Sequence, residues 1–139
     1  MRLEHRLIRA LPLIALSAMA FTCPADIPER VPNGNWGGDH IGMVVTDTGA
    51  TIEYDCANGS ITGPLLLDGS GHFVWTGVHH IEHGGPVFAG EPQNTHAARY
   101  TGNATSSTIT ITVTLTDTTY PTQTYSLVRG ANARVFKCL

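Results

Sequence analysis

From residue 36 onward, apolar and polar positions alternate in short runs broken by Gly, Asn and Asp, the period-two pattern of half-buried antiparallel strands. Ile41, Met43 and Val45 alternate with Gly42 and Val44 before Asp47-Thr48-Gly49 turns the chain. Ile52, Tyr54 and Cys56 alternate with Thr51, Glu53 and Asp55, and Asn58-Gly59 reads as the next hairpin turn. Residues 61–67 run into Asp68-Gly69-Ser70-Gly71, and residues 72–83 read as a long fourth strand. The clearest run is 107–116, where Ile109, Ile111, Val113 and Leu115 face one way and five threonines the other. A last strand over 122–129 precedes the tail. No helical period appears after the first 22 residues. Short strands in meander order predict an all-β domain, a single antiparallel up-and-down barrel of seven or eight strands. Closure removes the edges that so many Val, Ile and Thr residues would otherwise expose.

The first 22 residues read differently. Arg2, Arg6 and Arg9 against Glu4 precede an apolar stretch from 10 to 21 that is too short to span a bilayer. Ala18-Met19-Ala20 is a small-x-small site of the kind a signal peptidase cleaves. The expected organisation is a signal peptide over 1–22, a Pro-rich tether over 23–35 (Pro24, Pro28, Pro32) and a barrel over 36–139. Export places the protein in the periplasm, on the outer membrane or outside the cell, where disulfides persist. Removing Arg2, Arg6, Arg9 and Glu4 from eight basic and eleven acidic residues leaves five and ten, a net charge of −5. That balance argues against a nucleic-acid partner, whose phosphates need clustered Lys and Arg.

Of the three cysteines, Cys56 ends an apparent strand and Cys138 is the penultimate residue. A bridge between them closes a long loop and is worth about 4 to 5 kcal/mol in the chain-entropy model. Cys23 is then left at the mature N-terminus, either acylated as a lipid anchor, the only membrane attachment expected, or a thiol after cleavage behind Ala20.

Gly34-Asn35-Trp36, at the mouth of the first strand, resembles the Gly-x-Trp opening of the calycins, the lipocalin and avidin type of barrel. The resemblance implies that Trp36 closes one barrel end and packs against a basic residue of the last strand, here Arg129. Tyr54-Asp55-Cys56-Ala57-Asn58-Gly59, followed by Ala98-Arg99-Tyr100 and a C-terminal cysteine, is similar to the small periplasmic inhibitors of C-type lysozyme. Those are β-barrels, often lipoproteins, with the Tyr-x-Cys cysteine paired near the C-terminus. This chain departs from them in a complete additional strand before Tyr54 and a longer stretch from Cys56 to Arg99. The Trp-Gly-Gly, Asp-Cys-Ala and His-Gly-Gly-Pro landmarks also resemble uncharacterised bacterial secreted proteins, which implies no function.

Candidate chemistry concentrates in Val78-His79-His80-Ile81-Glu82-His83. In a strand, His79, Ile81 and His83 share a face with Phe73 and Trp75, while His80 and Glu82 share the other, unless Gly77 marks a bulge that resets the faces. His79 and His83 stand ~13 Å apart along an ideal strand, too far to share an ion, whereas His80 and Glu82 are ~7 Å apart. One reading is a zinc or copper site from His80, Glu82 and His83 with His96; the other is a solvated, histidine-rich strand end with one buried imidazole. Glu82, His83, Asp39 and His40 offer acid/base groups, but no serine sits in a nucleophile elbow, so the expected activity is binding rather than catalysis.

The loop opened by Gly84-Gly85-Pro86 and running to His96 is long for so small a domain and carries Val87 and Phe88. Two roles suit it, a lid folded over the barrel mouth or a wedge for a partner. The first functional expectation is therefore an envelope binding protein holding a small apolar ligand inside the barrel, with Phe73, Trp75, Phe88, Arg99 and Tyr100 as its contacts. The alternatives are an inhibitor presenting the loop to a hydrolase such as lysozyme, and a histidine-rich metal binder.

Overall fold

A computed structural model describes residues 28–139, and the leader, Cys23 and the start of the tether lie outside the described residues. Eight strands follow one another: β1 (Gly34–Gly38), β2 (Ile41–Thr46), β3 (Gly49–Tyr54), β4 (Ala57–Thr62), β5 (His72–Ile81), β6 (Asn94–Ala104), β7 (Thr108–Leu115) and β8 (Gln123–Arg129). Each pairs antiparallel with its neighbours in sequence, and β1 closes the barrel on β8 through Trp36↔Arg129 and Gly37↔Val128. The all-β up-and-down barrel is thus the observed fold, and Cys56 is bridged to Cys138 with their Cα atoms 4.9 Å apart.

The alternation finds its faces. Ile41, Met43, Val45, Ile52 and Tyr54 point inward, as do Ile109, Ile111, Val113 and Leu115, while the threonines between the latter point out. The β5–β6 register runs unbroken through Gly77, so no bulge intervenes and Phe73, Trp75 and His79 all face the interior. Gly77 is instead a packing glycine, since a Cβ there would meet Ser60 O at 2.1 Å and the Tyr100 ring at 3.1 Å.

Two boundaries differ from expectation, and one strand lacks the alternation that marked the others. Asn58-Gly59 lies inside β4, and the hairpin turns one step earlier, at Asp55-Cys56, where Cys56 takes the left-handed conformation (φ 50°). Gly59 serves packing there, because the Tyr100 hydroxyl would stand 2.7 Å from a Cβ. β4 accordingly ends at Thr62, and 63–71 is a loop. The longest strand, β6, carries a weak alternation because its inward positions include Ala98, Gly102 and Ala104. Those small residues make room for large neighbours: Gly102 faces Phe73, whose ring tip would sit 3.0 Å from a Cβ.

The tether is no solvated spacer in its second half. Val31 is fully buried, the Val31 amide donates to Leu65 O (2.9 Å) and the Leu67 amide to Glu29 O (2.9 Å). Residues 28–33 plug one end of the barrel beneath Leu65, with the Trp36 indole donating to Pro32 O at 3.1 Å and the Trp75 indole to Leu66 O at 2.9 Å. Two prolines leave the remaining amides few obligations, and burying Val31 outweighs staying extended in water.

At the other end the C-terminal tail straps the turns together. It crosses β1 and β2 over Gly37 and Gly42, where Cβ atoms would meet Ala131 O at 2.3 Å and the Ala133 Cβ at 2.7 Å. His40 N–H donates to Arg134 O (2.8 Å), and Arg134 N–H returns a bond to Gly38 O (3.0 Å). Further on, Phe136 N–H donates to Asp55 Oδ1 (2.7 Å) before the disulfide fastens Cys138. Leu139 ends beside Gly84.

Candidate functional site

The strapped end gathers the chain's unusual chemistry. It presents the β1–β2 and β3–β4 turns, the β5–β6 loop (82–93) and the β7–β8 turn (116–122). His40, His79, His80, His83 and His96 all lie here, and three of them join carboxylates. His40 Nδ1 donates to Asp55 Oδ2 at 2.5 Å, linking two neighbouring turns. His83 Nε2 donates to Glu91 Oε1 at 2.6 Å across the β5–β6 loop. His96 Nδ1 donates to Asp117 Oδ1 at 3.1 Å, fastening β6 to the β7–β8 turn. Lys137 adds a fourth tie, reaching Glu53, Glu82 (3.1 and 3.2 Å) and Ala57 O (2.8 Å).

The β5–β6 loop is built around Glu91. Its second carboxylate oxygen accepts the Phe88 amide at 3.2 Å, and the Glu91 amide donates to Phe88 O at 3.1 Å. Those bonds make a compact turn from a stretch without regular structure. His83 bonds the Gly84 carbonyl through Nδ1 (2.9 Å) as well as Glu91, so both ring nitrogens face acceptors. The Gly84 carbonyl and then Glu91 accordingly raise the His83 pKa, while the Phe88 amide and then His83 hold the Glu91 carboxyl below its usual value. Val87 and Phe88 nevertheless project, 78 and 70% exposed. They flank a cleft of about 240 Å³ lined also by His80, Glu82, Gly90 and Pro92.

Of the residues expected to form one ligand site, Phe73, Trp75 and Tyr100 adjoin one another in the core, whereas Phe88 and Arg99 lie outside it. Phe73 and Trp75 stack on each other (ring centroids 3.7 Å apart) inside the core toward the plugged end. Tyr100 is fully buried, its hydroxyl donating to Val78 O at 2.8 Å, rather than standing at a recognition surface. Arg99 is exposed on the outer wall between Thr76 and Thr114, away from Phe88. The interior is occupied by their rings and by Trp36, Met43, Tyr54 and the aliphatic side chains. A cavity beneath the β7–β8 turn measures only about 10 Å³, room for about one water.

Of the four candidate metal ligands, His80, Glu82 and His83 line the cleft beside Phe88 but each is engaged elsewhere, and His96 is not part of its lining. His80 lies on the outer face, with Nδ1 3.1 Å from the Thr95 hydroxyl, while His96 opposes the inward-facing His79. Glu82 is engaged by Asn58 (2.7 Å) and Lys137, and His83 by Glu91. Among the described residues no three His, Cys, Asp or Glu side chains converge on a common point. Arg129 is the register partner of Trp36 at the plugged end, where its guanidinium donates to Asn33 O at 3.2 Å.

Asp55, Glu91, Asp117 and the tail residues Arg134 and Lys137 were not legible as site residues. Glu91 meets His83 within one loop, but the other partners lie 15 to 95 residues away in sequence and are brought together by the fold. The chain matches no protein-family model, no curated protein and no solved structure.

Proposed function

We propose that this is an exported binding protein that acts from the outside of its histidine-rich barrel end, with the β5–β6 loop inserted into a cleft of a protein partner. One observation carries the reading: Val87 and Phe88 are exposed on a loop whose backbone is already fixed by Glu91 and His83. A fixed apolar wedge loses little conformational entropy on binding, which is how small protein ligands gain affinity. The packed interior favours this over a small apolar ligand carried within. Export is supported by the leader and by a disulfide suited to an oxidising compartment.

The partner that best suits the chain is a hydrolase such as C-type lysozyme. Tyr54-x-Cys56 bridged to Cys138 supports the likeness to lysozyme inhibitors, and the Trp36–Arg129 pairing supports the likeness to calycin barrels. The test is inhibition of C-type lysozyme by the mature protein, with Val87→Ser/Phe88→Ser as the loop variant. Burying one large apolar side chain is worth about 1.5–3 kcal/mol, so the variant should bind ~10- to 100-fold more weakly at unchanged Tm. Arg99→Ala, on the barrel wall, should change affinity less. Absence of inhibition by the parent protein removes lysozyme as the partner, and undiminished binding by the loop variant removes the loop as the wedge.

A further inference from the structure

A second feature of the same end lies inside the barrel. The cavity under the β7–β8 turn is lined by Tyr54, His79, Val113, Leu115, Tyr120 and Tyr125, with Pro121 and Gln123 completing its wall. Tyr54 is 2% and His79 6% exposed, and their rings lie 4.9 Å apart. The Tyr54 hydroxyl and His79 Nδ1 are both sealed from solvent, and neither makes a well-formed hydrogen bond within the protein, the neighbouring Tyr100 hydroxyl donating instead to Val78 O. Each such group left unmatched is destabilising, and two at one small cavity are better explained by a guest than by coincidence.

The chemistry of the wall defines the guest. No lining side chain carries a fixed charge, so an ion entering here would lose its hydration without a counter-charge. Tyr54 offers a hydroxyl that both donates and accepts. His79 Nδ1 donates or accepts according to its tautomer, and burial, with smaller contributions from His96 and His80, disfavours its charged form. A single hydroxyl satisfies either tautomer, because it too carries both a proton and lone pairs. The volume admits about one water-sized molecule.

We propose that Tyr54 and His79 form an internal site for one neutral hydroxyl-bearing guest of about the size of water, closed over by Tyr120 and Pro121. Water and a minimal alcohol such as methanol share the required chemistry. The half-exposed Tyr120 and the proline beside it form the only wall that belongs to a turn rather than to a strand.

The experiment is a high-resolution crystal structure of the mature protein, before and after a methanol soak, with unfolding curves for the parent, Tyr54→Phe and His79→Phe. An ordered oxygen within hydrogen-bond distance of both Tyr54 Oη and His79 Nδ1 is expected before the soak. Added density for a methyl group after it identifies an alcohol as a second guest; an unchanged peak restricts the site to water. Tyr54→Phe, which keeps the ring and removes only the hydroxyl, should lower Tm because the guest loses an anchor. An empty cavity in the parent crystal overturns the proposal, and so does a raised Tm for Tyr54→Phe, since removing a truly orphaned hydroxyl is stabilising. His79→Phe supplies the same reading from the other side of the cavity.

Discussion

The two ends of this barrel are closed by different physics. At one end the chain plugs itself: Val31 and Leu65 are buried, two indoles donate to backbone carbonyls, and Val31 and Leu67 make backbone bonds to the segment opposite. At the other end, closure depends on three histidine–carboxylate pairs, a lysine shared between two glutamates, and a tail held by a disulfide. The first closure rests chiefly on burial and holds no cross-link among the described residues. The second depends on charge and a cross-link, and it leaves Val87 and Phe88 outside. The two ends are thus held by different means, and the strapped end is the one that leaves a fixed apolar loop outside.

Changes at the two ends should therefore differ in kind as well as in size. The largest effect should come from opening the strap. Cys56→Ser/Cys138→Ser should cost about 4 kcal/mol in urea unfolding and should strip hydrogen-exchange protection from the Arg134 and Phe136 amides first. Next, Leu65→Ala at the plugged end should cost about 3 kcal/mol, with the tail amides still protected. A loss of tail protection in Leu65→Ala would show that the ends are coupled after all. Gly42→Ala should cost less, about 1–2 kcal/mol, because its Cβ pushes the tail off β2 while the disulfide still holds Cys138.

The pH response should separate the loop from the core. His83 is raised from 6.5 and Glu91 lowered from 4.5. On the histidine side the tie is fully present below pH 6.5 and is lost as pH rises through the raised value. On the carboxylate side it is fully present above pH 4.5 and is lost as pH falls through the lowered value. The loop should hence be tightest between about pH 4.5 and 6.5. His79 acts in the opposite direction, because burial lowers its pKa from 6.5: its contribution is complete above pH 6.5 and falls away as pH drops toward the lowered value. On going from pH 8 to pH 5.5 the Phe88 amide should gain protection, and His83→Gln should abolish that gain while leaving the stability lost through His79 in place. The smallest effect is expected at Arg30, whose ion pair with Asp47 is exposed, so Arg30→Ala should leave the Tm almost unchanged.

Much of the barrel was written in period two. The 107–116 run placed β7 within a residue of each end because large apolar and threonine positions alternate without exception. β6 was obscured by the same device that makes the core fit, small inward residues such as Ala98, Ala104 and the Gly102 opposite Phe73. Asn58-Gly59 carried a strong turn signal, yet the space beneath Tyr100 claimed the glycine for a strand. The pairing of Cys56 with Cys138 was legible from position, and so was the inward face of His79. The histidine–carboxylate pairs were not, because no local spacing links His96 to Asp117 or His40 to Asp55. Gly37 and Gly42 did mark the track of the tail, but as absences of side chains they point to no particular occupant.

The most direct test of a barrel that acts from its surface is native mass spectrometry of the protein purified from the cells that make it, before and after denaturation. The packed interior predicts the mass of the processed chain with nothing heavier than water retained. An organic ligand of a few hundred daltons, held until denaturation and unaffected by Val87→Ser/Phe88→Ser, would contradict the account and return function to the barrel interior.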